Sequence, residues 1–295
     1  MRSVATDPSA RGLLDDTAVI SIGAETLILT HDMMAEDVHW LPTADAADVA
    51  WKLVSANLSD LAAKGARPLG VLLGFMLGDD AWDRRFATGL QAALAHYSVP
   101  LLGGDTVSNR GDKRALGMTA IGAASFAPVP SRSGAQPGDV LYVTGTLGDA
   151  LGGFEMAEVG LEGASLLMAA YHRPIARLAE GQALAPLVTA MMDVSDGLLL
   201  DTERIASASK VKITIDLASI PLSAPYRQQR GDSLDSRLQA ASWGDDYQLL
   251  CTAPAGLELL VTATAVGRVT AGSGLSLTDA GAPIPLPPSL GYQHR

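Results

Sequence analysis

From residue 17 onward the chain alternates short β-branched runs with longer stretches of helical period. TAVISI (17–22) and TLILT (26–30) read as strands. Between residues 46 and 64, Ala50, Leu53, Val54, Asn57, Leu58 and Leu61 recur at i, i+3, i+4, i+7 spacing, which predicts a helix with one apolar stripe, ended by Gly65 and Pro68. PLGVLLGFML then reads as a buried strand and WDRRFATGLQAALAHY as a helix. PLLGG reads as a short strand and ALGMTAIGAAS as another.

At 126–138 the pattern breaks into FAPVPSRSGAQPG, rich in Pro, Gly and Ser, which marks a domain boundary and divides the chain into residues 1–127 and 128–295. Beyond it come the strand DVLYVTG, a Gly-rich turn into the helix TLGDALGGFEMAE, and a helical stretch through 164–186. The run TAMMDVSDGLLLDTERIASAS follows, then the strands KITIDL and YQLLCTAP, the apolar segment LVTATAVGRVT and a loop-rich tail. Strands alternating with helices in both halves predict two α/β domains.

Composition narrows the function. The 295 residues are 48% hydrophobic and 18% charged, a globular balance, and the net charge is −11. That charge argues against a nucleic-acid surface, which needs clustered Lys and Arg. It does not exclude nucleotides, because divalent cations can stand between an acidic site and polyphosphate. The single cysteine, Cys251, lies in the apolar run YQLLC and reads as buried core. No apolar signal region opens the chain and no 18-residue apolar span occurs, so a soluble cytoplasmic protein away from membranes is expected.

The acids carry the chemistry. Asp15 and Asp16 precede TAVISI, Asp32 follows TLILT, Asp105 follows LLGG, and AMMDVSDGLLLD interrupts an apolar run with Asp193 and Asp196 before Asp201. Carboxylates at strand ends stand where open α/β sheets place ligands. Asp193 and Asp196 admit two readings, as caps of the following helix or as ligands of a hard metal ion. Asp60 lies at the edge of the helical stripe beside Asn57 and Lys64. It either reaches a neighbouring site or pairs with Lys64 at i+4, a contact worth only ~0.3–0.5 kcal/mol. Oxygen ligands suit Mg2+; the dispersed histidines and lone cysteine do not suit zinc. TGTLGDALGG lacks the lysine of a phosphate loop and reads as a plain strand-to-helix turn. Ser195 sits in DVSDG, not GxSxG, so the nucleophile elbow is missing.

The ordered series LLDDTAVI, LILTHDMMAEDVHWL, NLSDLAAKGARP, LLGGDTVS, SRSGAQPGD, VTGTLGDALGG, MMDVSDGLLLD and WGDDYQLL resembles the thiamine-monophosphate kinase family, within the aminoimidazole ribonucleotide synthetase superfamily. The resemblance spans about residues 12–295. It implies an N-terminal Mg/ATP-binding domain whose sheet pairs with its copy in a homodimer, and a C-terminal α/β domain. It also implies in-line transfer of the γ-phosphoryl of ATP onto thiamine monophosphate, with several Mg2+ ions as cofactors, ATP as co-substrate and no catalytic base. Asp16, Thr30, Asp32, Asp60, Asp105, Asp193 and Asp196 fall on the family's magnesium ligands. Gly104, Asp105, Arg132 and Ser195 fall on its ATP contacts; His39, Asp245 and Tyr292 fall on its substrate contacts.

The chain departs from the family pattern at several points. The Gly-Glu-Phe segment upstream of the first aspartates has no counterpart in MRSVATDPSA. Leu14 replaces a glycine, His31 a threonine beside Asp32, Trp243 the first glycine of a pair, and Gln248 a glutamate. These departures keep two alternatives open: a paralogue that binds nucleotide or thiamine phosphate without turnover, and another ATP-dependent enzyme of the superfamily.

Overall fold

The computed structural model describes residues 3–108, 111, 113–161, 163 and 165–293. After a short 3-10 turn at Pro8–Leu13, the first half forms β1 (Ala18–Ile22), β2 (Glu25–Ala35), α1 (Ala46–Ala62), β3 (Ala66–Leu77), α2 (Asp80–Tyr97), β4 (Leu101–Ser108) and β5 (Ala115–Ala124). Its sheet runs β1-β2-β5-β3-β4, antiparallel except for the β3–β4 pair. Both helices cover one face: Ile28, Thr30 and Met34 of β2 turn inward, while His31 and Met33 alternate outward.

The second half forms β6 (Asp139–Thr144), α3 (Asp149–Glu158), α4 (Leu166–His172), α5 (Leu178–Leu184), β7 (Ala190–Asp193), α6 (Leu198–Ser209), β8 (Lys212–Asp216), α7 (Ala224–Arg230), α8 (Leu234–Ser242), β9 (Leu249–Pro254), β10 (Ala263–Thr270), β11 (Gly274–Asp279) and β12 (Ala282–Ile284). Its sheet runs β12-β11-β8-β10-β6-β9-β7, with only β8 and β11 parallel. Among the described residues no helix is long and apolar enough to cross a membrane.

Three stretches differ from the sequence expectation. The helix expected through 164–186 is two helices, because Arg173, held out of helical geometry before Pro174, ends α4. The helices α7 and α8 are too polar to show a strong stripe; their signals are the caps Ser223 and Ser233, which accept from the N–H groups of Tyr226 and Ser236. The tail is not all loop. Ala280 and Gly281, both at positive φ, turn β11 back into β12.

The helix α1 positions the site. Asp45 caps it by accepting the Ala47 N–H at 2.8 Å. Instead of one apolar stripe, it is buried on nearly every side, because α5 and β7 of the second half cover the face turned away from the first sheet. The join is backbone against backbone: a Cβ on Gly181 would lie 2.0 Å from the Ala62 carbonyl oxygen, and one on Gly65 would lie 2.5 Å from the Ala185 Cβ. Ala62, Ala63, Leu184, Met191, Leu249 and Cys251 fill the small core at this junction.

Candidate active site

One turn of α1 reaches both sheets. Asn57 Oδ1 accepts the Asp32 N–H at 3.0 Å, and its Nδ2 donates to the Leu53 carbonyl at 2.9 Å. Asp32 does not follow a strand as expected: β2 runs on to Ala35, and Asp32 lies within it. Ser59 Oγ donates to Asp193 Oδ2 at 2.5 Å at the end of β7. Asp60 Oδ2 accepts from Thr30 Oγ1. The polar residues that interrupt the α1 stripe therefore tie the helix to β2 of the first sheet and to β7 of the second. Asp16, Asp60 and Asp193 each present an oxygen, all within 4.8 Å of one another.

Cations hold only part of this charge. Lys64, fully buried, donates to Asp15 Oδ1 at 2.5 Å and Asp16 Oδ2 at 2.9 Å, so the alternative reading of an Asp60–Lys64 pair does not hold. Arg11 pairs with Asp15 and Arg132 with Asp16. Burial opposes ionisation of Asp15 and Asp16, yet Lys64 outweighs it with help from Arg11 at Asp15 and Arg132 at Asp16, and both carboxyls stay below their ordinary range. The other acids go the opposite way. Burial, reinforced by the charge of Asp16, pushes Asp32 up to about 6 and Asp193 up to about 8. Asp60 is raised well above its ordinary value by burial and by Asp32, Asp193 and Asp16.

The cap reading of Asp193 and Asp196 is excluded locally. Gly197 precedes α6 and no side chain caps it. Asp201 does the structural work, accepting the N–H groups of Ser195 and Asp196 at 3.1 Å each, while Arg204 lies 2.6 Å from both Asp196 and Asp201. Asp193 is left with Oδ1 buried and without a hydrogen-bond partner. A buried orphan oxygen beside two further carboxylates is what a hard divalent cation would satisfy, so the donor set fits Mg2+.

These acids line a cleft of about 950 Å³ between the two halves, shared with Arg132, Ser195, His39, Asp245 and Tyr292. Thr30 stands behind Asp60. Asp245 and Tyr292 are distant in sequence but are carried in by main-chain bonds to the acidic turn: the Asp245 N–H donates to Ser195 O at 2.9 Å, the Tyr247 N–H to Val194 O at 2.8 Å and the Tyr292 N–H to Asp196 O at 3.0 Å. Asp245 and Tyr247 hold positive φ in this loop, a strained geometry for side-chain-bearing residues at a ligand site. Lys52 fixes Asp245 at 2.7 Å.

Gly104 and Asp105 are the exceptions. Through paired positions, Asp105 lies opposite Gly74, Gly74 opposite Gly117, and Gly117 opposite Met33. Three strand spacings, roughly 14 Å, therefore separate Asp105 from Met33, the neighbour of Asp32 on β2. Asp105 is exposed on the edge strand and does not join the acid cluster within one chain. His31 turns to the open sheet face, where its Nδ1 lies 2.8 Å from Thr119 Oγ1. Leu14 is half exposed, and Gln248 is a buried partner of Thr144 and Arg177. The turn TGTLGDALGG is plain, with Asp246 accepting the Gly148 N–H at 2.9 Å. Sequence reasoning did not assign Ser59, Lys52 or the buried charge of Lys64; an ammonium predicted beside a buried stripe was the available signal for Lys64.

Two α/β layers that meet over an acidic cleft match a known architecture. Residues 14–124 match the family described as AIR synthase related protein, N-terminal domain, and residues 136–280 match its C-terminal domain. That sets the class: a two-domain α/β protein of the AIR synthase related type. The thiamine-monophosphate kinases of Caulobacter vibrioides and Escherichia coli K12 are 36% and 37% identical to this chain, over 98% and 96% of it and 86% and 91% of the relatives. A solved structure described as AaThiL complexed with AMPPCP and TMP superposes with a TM-score of 0.85 at 30% identity, covering 95% of this chain and 91% of that one. The chain belongs to the thiamine-monophosphate kinase family.

Proposed function

We propose that this protein phosphorylates thiamine monophosphate with ATP, giving thiamine diphosphate and ADP. A phosphate oxygen of thiamine monophosphate attacks the γ-phosphorus of ATP, and the bond to the β–γ bridging oxygen breaks with its electron pair leaving on ADP. The observation that carries this reading is the convergence of Asp16, Asp60 and Asp193 within 4.8 Å, at a cleft of about 950 Å³ between the two halves. Phosphoryl transfer asks the protein for positioning and charge neutralisation, and the attacking oxygen is already ionised near neutral pH, so no side-chain base is assigned.

Asp16, Asp32, Asp60, Asp193 and Asp196 would hold Mg2+, with Thr30 fixing Asp60; the metal would neutralise charge between the two sets of phosphates. Arg132 and Ser195, which line the cleft, would meet ATP, and His39, Asp245 and Tyr292 would meet thiamine monophosphate. We assign the activity to the cytoplasm.

The same reading makes the protein a homodimer. Its first sheet leaves one face without a helix, where Met33 is 60% exposed and Leu72 37% exposed. Asp105 occupies that face, and Met33 also lines the cleft. A second copy covering the face would bury the apolar side chains and bring its own Gly104 and Asp105 to the cleft. The test is chromatographic detection of thiamine diphosphate from ATP, Mg2+ and thiamine monophosphate, beside Asp32→Ala. Product from the parent alone supports the kinase; ATP binding with no product from either overturns it.

A further inference from the structure

The cleft has an aromatic side that the phosphate chemistry does not use. Trp243 and Phe154 line it with ring centroids 5.0 Å apart and planes tilted by 33°. Tyr171 meets Phe154 edge-on at 5.6 Å, and the Lys52 ammonium stands 4.3 Å from the Tyr171 ring centre, so Tyr171 is already engaged by a cation of the protein itself. Trp243 and Phe154 are partly exposed. One turn beyond Phe154 on α3, Glu158 adds a carboxylate to the same cleft.

Trp243 also has a fixed relation to the acidic turn. The next residue, Gly244, is pressed against it so closely that a Cβ there would lie 2.2 Å from the Ser195 carbonyl oxygen. The indole is therefore held beside the metal-binding acids by main chain and not by a mobile loop. The acids and the aromatic side line one cleft, so a single ligand can span both. An indole face is the strongest side-chain platform for a cationic ring, and a neighbouring carboxylate adds to that preference.

We infer that Trp243, supported by Phe154, is the platform that selects the positively charged thiazolium ring of the substrate. This rests on the proposed function, and it assigns a recognition role to a residue at which this chain departs from the family's glycine pair. The geometry places the ring's charge over the indole and its phosphate toward Asp193 and Asp196.

The experiment measures binding to the intact protein of two probes that differ only in charge: the phosphate ester of 4-methyl-5-hydroxyethylthiazole, and its N-methylthiazolium counterpart. The parent should bind the cationic probe about five- to thirty-fold more tightly. Trp243→Ala should abolish that preference, and Trp243→Phe should keep part of it; both should bind ATP as the parent does. In turnover, Trp243→Ala should raise the KM for thiamine monophosphate by a similar factor with kcat within about threefold. Equal binding of the two probes by the parent, or an unchanged preference in Trp243→Ala, overturns the inference while leaving the kinase standing. A parent that prefers the cationic probe yet forms no thiamine diphosphate overturns the kinase and leaves the azolium platform in place.

Discussion

The N–H of Tyr292 donates to the carbonyl oxygen of Asp196 at 3.0 Å, so the C-terminal tail is fastened to the same turn that presents the acids. Its neighbour Gly291 makes this possible, because a Cβ there would lie 2.3 Å from that carbonyl oxygen. Gly291→Ala should raise the KM for thiamine monophosphate by about tenfold while changing stability by less than about 1 kcal/mol, since the tail contributes little core. Steady-state kinetics beside a urea melt checks both halves of the expectation.

Asp193 is an acid that burial drives toward its neutral form. Removing its charge should therefore stabilise the metal-free protein, and Asp193→Asn should gain on the order of 1–3 kcal/mol at neutral pH. Mg2+ should raise the Tm of the parent and leave that of the variant nearly unmoved. Thermal melts with and without millimolar Mg2+ decide it; equal metal shifts in the two proteins would remove Asp193 from the metal set.

Lys64 has no exposed surface and answers two buried carboxylates. Lys64→Met should cost about 3–5 kcal/mol, because Asp15 and Asp16 lose their main counter-charge inside the fold. Mg2+ should recover part of that loss. A urea midpoint equal to the parent's would show that Arg11 and Arg132 suffice.

The position of Asp105 across the sheet makes a mixing experiment informative. Asp32→Ala and Asp105→Asn should each be inactive alone. Dissociated, mixed and reassociated, they should recover roughly a quarter of parental activity, because half the dimers are mixed and each mixed dimer has one intact site. No recovery, with mixed dimers demonstrated, would show that Asp105 does not serve its partner's site; full activity of Asp105→Asn alone would place it outside the site.

Burial pushes the Cys251 thiol up to about 12. A thiol that folding holds neutral contributes nothing pH-dependent below its unfolded value near 8.5. Above it the unfolded state loses its proton first, so stability falls as the pH rises toward 12. Cys251→Ala should flatten that alkaline decline, and a thiol reagent at pH 8 should label the parent only after denaturant is added.

The strands and the buried helix were legible because periodicity reports burial directly. Asp16 and Asp193 were legible as acids at strand ends and Asp60 as one at the edge of a helical stripe; Asp32, read as following a strand, lies within β2, yet all four line one cleft. What sequence could not carry was partner choice. Lys64 stands four residues from Asp60 yet pairs with Asp15 and Asp16, because the long-range fold and not helical spacing decides which carboxylate it meets. Asp245 and Tyr292 reach the site through backbone bonds, which leave no residue-type signature. Trp243 looked like a lost glycine; only its contact with Phe154 reveals a platform. The tail hairpin was missed because a strand of three residues is shorter than any pattern that alternation can report.

The contact of Gly181 on Ala62 bears on how substrates enter. With no side chain between the two helices, there is nothing compressible at the back of the cleft and no rotamer that could let the halves pivot there. Separating them would break a joint that also buries Met191 and Leu249. Substrates thus meet a cleft whose back is a close-packed joint and whose 243–247 loop and tail are themselves tied by main-chain bonds to the acidic turn.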